Sequence, residues 1–110
     1  MSILMKAGKL IDGKGGAIEN AALLMDGDRI TALGRQADIQ PAEGVEVIEA
    51  GDKTIMPGLV EAHYHATYFN VAELTDLDIK YPVEYVSLIA SVNCQLALEC
   101  GYTSARSGGC

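Results

Sequence analysis

Basic residues are scarce in this sequence: 8 lysines and arginines stand against 15 aspartates and glutamates, for a formal net charge of −7. The sequence therefore lacks the clustered cations whose counterion release drives binding to nucleic acid, and that class of partner is excluded. Long apolar runs are missing too. None approaches the ~18 residues that mark a membrane span, and the opening Met1-Ser2-Ile3-Leu4-Met5-Lys6 has neither the charged region nor the cleavage site of a secretory signal. The expectation is a cytoplasmic protein with neither nucleic acid nor membrane as partner. Cysteines are few, and Cys94, Cys100 and Cys110 form no C-x-x-C pair. Cys94 and Cys100, six apart on an expected helix, project about 240° from each other around its axis, so all three read as buried, reduced thiols. Internal repeats and low-complexity tracts are absent. What is abundant is apolar: 49% hydrophobic against 21% charged residues is the balance of a folded domain, not of a disordered chain.

The first third reads as short strands and tight turns. Residues 3–7 and 9–11 are brief apolar runs, and Asp12-Gly13 with Gly15-Gly16 supplies turn conformations. The apolar runs 22–25 and 29–33 are joined by Asp26-Gly27-Asp28, a strong local hairpin signal. A polar loop over residues 36–44 precedes an alternating strand at 45–49, giving an antiparallel β unit. Pro57-Gly58 should end pairing with that sheet, because proline removes a ladder donor. Residues 59–65 resume as an extended, buried segment. The spacing of Val86, Ile89, Val92, Leu96 and Cys100 predicts one helix over residues 82–100. Pro82 lies in its first turn, Gly101 is its stop, and most of its circumference is expected to be covered. A strand over residues 102–106 follows. Strand, connection, helix, strand is the βαβ unit of a parallel sheet, and one such unit is incomplete alone. The expectation is the front of a larger protein.

The two histidines, His63 and His65, are two apart. On a strand, residues i and i+2 project to the same face, so both imidazoles leave rigid backbone in one direction, as two ligands of a single Zn²⁺ would. The spacing alone leaves a second reading open, in which both rings are satisfied by ordinary hydrogen bonds. Other motifs fail. Gly13-Lys14-Gly15-Gly16-Ala17-Ile18 has Ile18 where a dinucleotide fingerprint needs its third glycine, and there is no phosphate-binding Gly-Lys-Ser/Thr. Ala105-Arg106-Ser107-Gly108-Gly109 only approximates a nucleophile elbow, and both histidines precede its serine.

The run Thr54-Ile55-Met56-Pro57-Gly58-Leu59-Val60-Glu61-Ala62-His63-Tyr64-His65 closely resembles the signature of the amidohydrolase superfamily: Pro-Gly, an apolar pair, an acidic residue and His-x-His. Gly101-Tyr102-Thr103-Ser104-Ala105-Arg106-Ser107-Gly108-Gly109 is similar to the second barrel strand of its prolidase-like and imidazolonepropionase-like branch, with Ser107 where that branch often has Asp. The resemblance implies an α/β fold. Residues 1–57 would be the N-terminal part of a small β-sandwich, and residues 58–110 the first strand, first helix and second strand of a (β/α)8 TIM barrel. It further implies that His63 and His65 ligate a metal at the C-terminal mouth of that barrel. One or two divalent ions, zinc first, would activate water to hydrolyse an amide or other C–N bond in a small-molecule substrate such as a cyclic amide, an N-acyl amino acid or a dipeptide. The remaining ligands and the general acid/base would lie beyond Cys110, so this chain alone would be inactive, and the full-length protein would be a homo-oligomer. Glu61 is expected to hold a structural hydrogen bond, Tyr64 to point into packing, and Arg106 to face the barrel interior or an ion-pair partner. Tyr68 and Phe69 are expected to line a substrate site or pack within their loop. Two alternatives stand beside this reading: a one-metal deaminase of the same superfamily, and a non-catalytic relative or β-rich interaction module.

Overall fold

A computed structural model describes residues 1–109. Its contacts divide the chain into two compact units, Met1–Pro57 and a second from Gly58 onward, each taken by itself below.

The first unit is one five-stranded mixed sheet. Strands β1 (Ser2–Ile11), β2 (Ala17–Asp26) and β3 (Arg29–Arg35) form an antiparallel meander. At the β2–β3 turn, Asp26 pairs with Arg29, and Gly27 takes the first central position with φ +58°, as the primed hairpin turns require. At the β1–β2 turn, Asp12 Oδ1 accepts the amide N–H groups of Lys14 and Gly16 at 2.7 and 2.9 Å. Those two donors hold the Asp12 carboxyl below its ordinary pKa, because they favour the charged form. Both halves of the hairpin are longer than the short apolar runs predict. Gly8 does not interrupt β1, and Asn20, at φ +49°, is absorbed within β2.

The remaining two strands correct the expectation of an antiparallel unit. β4 (Glu46–Glu49) and β5 (Thr54–Ile55) both run parallel to β1, pairing with its first and second halves respectively. The polar segment after β3, with a 3-10 turn at Gln36–Asp38, is a crossover that returns the chain in the direction of β1. The short break between β4 and β5 turns at Gly51, φ +63°. Gly8 of β1 lies against that break: a Cβ there would come within 3.1 Å of the Asp52 Cα. The core is small, with Leu4, Ala7, Leu10, Ala21, Ala22 and Leu23 buried, and Leu10, Ala21 and Leu23 packed with Ile18, Met25 and Ile55.

The second unit is a βαβ arrangement. β6 (Leu59–Tyr64) pairs in parallel with β7 (Tyr102–Ser107), and α1 (Asp76–Ile79) and α2 (Val83–Glu99) lie between them in sequence. Pro82 caps α2 at its start, and Gly101, φ +92°, ends it, close to the predicted bounds. Its inward face differs from the expected one. The half-buried positions are Val86, Ile89, Ala90, Asn93 and Ala97, a narrow stripe at helical spacing. Val83, Leu88, Val92, Leu96 and Leu98 are each more than half exposed, so the helix is not covered around most of its circumference. Cys94 and Cys100 are free and exposed, not buried. Cys94 is turned ~100° from Asn93 and so leaves the packed stripe, while Cys100 is the C-terminal cap. Cys110 lies outside the described residues. Among the described residues of this unit, Leu77 of α1 is the buried hydrophobic one. Among the described residues no helix is long and apolar enough to cross a membrane.

Candidate functional site

Strand β6 delivers the histidines. His63 is in its last turn of pleat and His65 follows its end, so both rings leave the carboxyl end of the strand on one side. The rings meet edge to face, with centroids 4.7 Å apart, and the two Nε2 atoms are 2.8 Å from each other. His65 Nδ1 is 2.6 Å from the carbonyl oxygen of Gly109. A carbonyl only accepts, so Nδ1 carries a proton, and the tautomer with its one proton there presents a lone pair at Nε2. In that tautomer the 2.8 Å contact between the rings is a hydrogen bond from His63 Nε2–H to His65 Nε2. Moving this one proton to Nδ1 of the same ring makes both Nε2 atoms donors of electron pairs aimed at one point.

The segment after β7 forms the other wall. The amide of Gly108 donates to the Tyr64 carbonyl at 2.8 Å, and the Ser107 hydroxyl accepts the Gly109 amide at 3.2 Å. This pins the backbone whose carbonyl orients His65. Gly108 faces the two rings directly: a Cβ there would stand 2.8 Å from His63 Nε2 and 2.8 Å from His65 Nε2. The space in front of the converging nitrogens therefore exists because residue 108 has no side chain.

Glu61 sits two residues before His63, half-buried, and its Oε1 accepts the His63 amide at 3.2 Å. The Tyr64 hydroxyl is buried. Tyr68 stacks face to face on His65, with centroids 4.1 Å apart and planes 5° from parallel. Phe69 turns away and packs edge-on against Tyr81 and Tyr85 of the α2 side. Arg106 is exposed on β7. A cavity of about 340 Å³, lined by Glu61, Tyr64, His65, Tyr68, Asn93 and Tyr102 among others, lies beside His65.

Two participants were not identified from the sequence. Asn93 of α2 donates both amide hydrogens, to the carbonyls of Ala66 and Tyr68 at 2.7 and 2.8 Å. Its signal was a polar residue in register with Val86, Ile89 and Ala97 on an otherwise apolar stripe. Gly108 gave no local signal, because its role depends on what faces it across the β6–β7 pair. Among the described residues no group of three or more His, Cys, Asp or Glu side chains converges.

No family model matches the chain. Two curated relatives align with a little over half of it. Imidazolonepropionase of Pseudomonas aeruginosa is 37% identical over 62 residues, 56% of this chain and 15% of that protein. The 5-methylthioadenosine/S-adenosylhomocysteine deaminase of Nitratidesulfovibrio vulgaris is 43% identical over 60 residues, 54% of this chain and 14% of that protein. Among solved structures, A. niger ochratoxinase superposes with a TM-score of 0.82 at 27% identity, over 96% of this chain and 25% of that one. A Xaa-Pro dipeptidase with methionine bound in its active site gives 0.80 at 27%, over 97% of this chain and 26% of that one. The chain thus spans about a seventh of the curated relatives it matches and about a quarter of the solved structures. Its α/β architecture with a mixed sheet is theirs, and the chain is similar to the N-terminal region of imidazolonepropionase-like and prolidase-like members of the amidohydrolase superfamily.

Proposed function

We propose that His63 and His65 are two ligands of a divalent metal ion, zinc first, in an enzyme that hydrolyses an amide or other C–N bond of a small molecule. In this reading residues 1–57 are the N-terminal part of a β-sandwich. β6, α2 and β7 are the first strand, first helix and second strand of a (β/α)8 TIM barrel, whose other strands supply the remaining ligands and the general acid/base. The observation that carries it is the pair of Nε2 atoms converging at 2.8 Å over a glycine. A neutral histidine whose Nδ1–H is fixed by a backbone carbonyl is the usual form of a metal-binding imidazole, because that bond sets both tautomer and ring direction.

The bound ion supplies Lewis-acid activation of water and of the scissile group. The chain's own residues shape and hold the site. Gly109 holds the tautomer of His65, Gly108 leaves room in front of the rings, and Tyr68 covers one face of His65 and excludes water from it. Glu61 ties its carboxylate to the His63 backbone, which suits a structural role at the strand. A one-metal deaminase is the second reading, favoured by the 43% identity to the N. vulgaris deaminase.

Metal analysis tests the proposal. The full-length protein purified without chelator is expected to carry close to one equivalent or more of a divalent transition metal, and His63→Ala to lose most of it while remaining folded. Less than a tenth of an equivalent in the native protein, with His63→Ala indistinguishable from it, would refute the assignment.

A further inference from the structure

We infer that Asn93 is a positioning residue for the metal-binding histidine pair, acting through Tyr68. The inference rests on the proposed role of His65 only where it concerns metal affinity.

The segment that follows β6 has no regular structure of its own until α1. It turns tightly after His65, where the Tyr68 amide donates to the His65 carbonyl at 3.2 Å. Such a segment ordinarily moves relative to the elements it joins. Here one side chain from α2 fastens it at two points. A primary amide has two N–H bonds, and Asn93 spends them on the Ala66 and Tyr68 carbonyls at 2.7 and 2.8 Å. With both carbonyls fixed to a helix, the Tyr68 ring is held parallel to the His65 imidazole, 5° between planes and 4.1 Å between centroids. His65 is then restrained from two sides: Gly109 fixes the rotation of the ring through Nδ1, and Tyr68 fixes the plane in which it lies.

The donor count makes the requirement specific. Aspartate has the same shape but only accepts, so it would set a carboxylate against two carbonyl oxygens. Serine offers one hydrogen on a shorter arm. Neither reproduces the double fastening, and a loose Tyr68 frees the His65 plane. Partners that orient a metal ligand without touching the metal are typically worth 10–100-fold in affinity.

His63 and His65 are the two histidines of the chain, so their ring signals are readily assigned by NMR on the full chain labelled at histidine. In the native chain the His65 ring protons should be shifted upfield by the ring current of Tyr68. Asn93→Asp is expected to remove more than half of that shift, approaching the value in Tyr68→Leu, and to weaken Zn²⁺ binding followed at the same signals by about tenfold. Asn93→Ser gives the same reading should the aspartate variant not fold. A folded Asn93 variant with native His65 ring shifts and native Zn²⁺ affinity would overturn the inference. A native chain that shows the upfield shift and its loss in Asn93→Asp, with a full-length protein that takes up no Zn²⁺, would sink the metal reading and leave the positioning of His65 by Asn93 standing.

Discussion

At the scale of residues, the site is defined as much by a missing side chain as by those present. The His-x-His spacing made the shared direction of the two rings legible in the sequence, because i and i+2 on a strand face one side whatever the rest of the chain does. What the sequence did not reveal was the partner of each ring, since Gly108, Gly109 and Tyr68 reach the histidines only through tertiary placement. Gly108→Ala puts this to work. Its Cβ would stand 2.8 Å from both Nε2 atoms, closer than real contacts allow, so the rings must part. The expected result is a loss of metal of at least tenfold in affinity with little change in unfolding free energy, because the residue lies beyond β7 in an exposed position. Native metal affinity in Gly108→Ala would show that the nitrogens do not act together.

At the scale of elements, the β6–β7 pair is what brings the two walls of the site together, and Gly58, just before β6, lies close against Thr103 of β7. A Cβ on Gly58 would fall 2.7 Å from the Thr103 Cβ, with the Thr103 Oγ1 and Cγ2 nearer still. Neither branch of a threonine can swing clear of its own Cβ, so Gly58→Ala should destabilise the pair by about 1–3 kcal/mol, the usual cost of overpacking. Denaturant unfolding followed by circular dichroism measures this, and unchanged stability would contradict the packing described here.

Elements set by local chemistry were legible: the Asp26-Gly27-Asp28 hairpin, the end of the first sheet at Pro57-Gly58, and the helix between Pro82 and Gly101. Strand direction was not. Nothing in residues 46–49 or 54–55 states whether they run parallel or antiparallel to β1, because that depends on the path of a crossover loop. The inward face of α2 was misread for a related reason. Val92 and Leu96 are apolar, and their spacing fits a buried stripe, but the half-buried stripe runs through Val86, Ile89, Asn93 and Ala97.

At the scale of the whole molecule, the two units differ in how much they bury. The first has a core centred on Leu4, Ala7, Leu10 and Leu23, whereas among the described residues of the second unit the buried hydrophobic one is Leu77. Val60 on β6 is 67% exposed and Leu88 on α2 is 69% exposed. Apolar surface of this extent on a strand and its crossover helix is what further barrel elements would cover in the proposed fold. The chain by itself should therefore bind a hydrophobic dye, with a several-fold rise in fluorescence that Leu88→Gln and Val92→Thr together reduce. A chain that leaves the dye dark would mean that these residues are covered in solution.

The most direct measurement is an anomalous difference map from crystals of the full-length protein, collected on either side of the zinc absorption edge. A single strong peak is expected at ~2.0–2.1 Å from both His63 Nε2 and His65 Nε2, in front of Gly108. A map with no peak there, and with the two imidazoles bonded only to each other and to backbone, would contradict it.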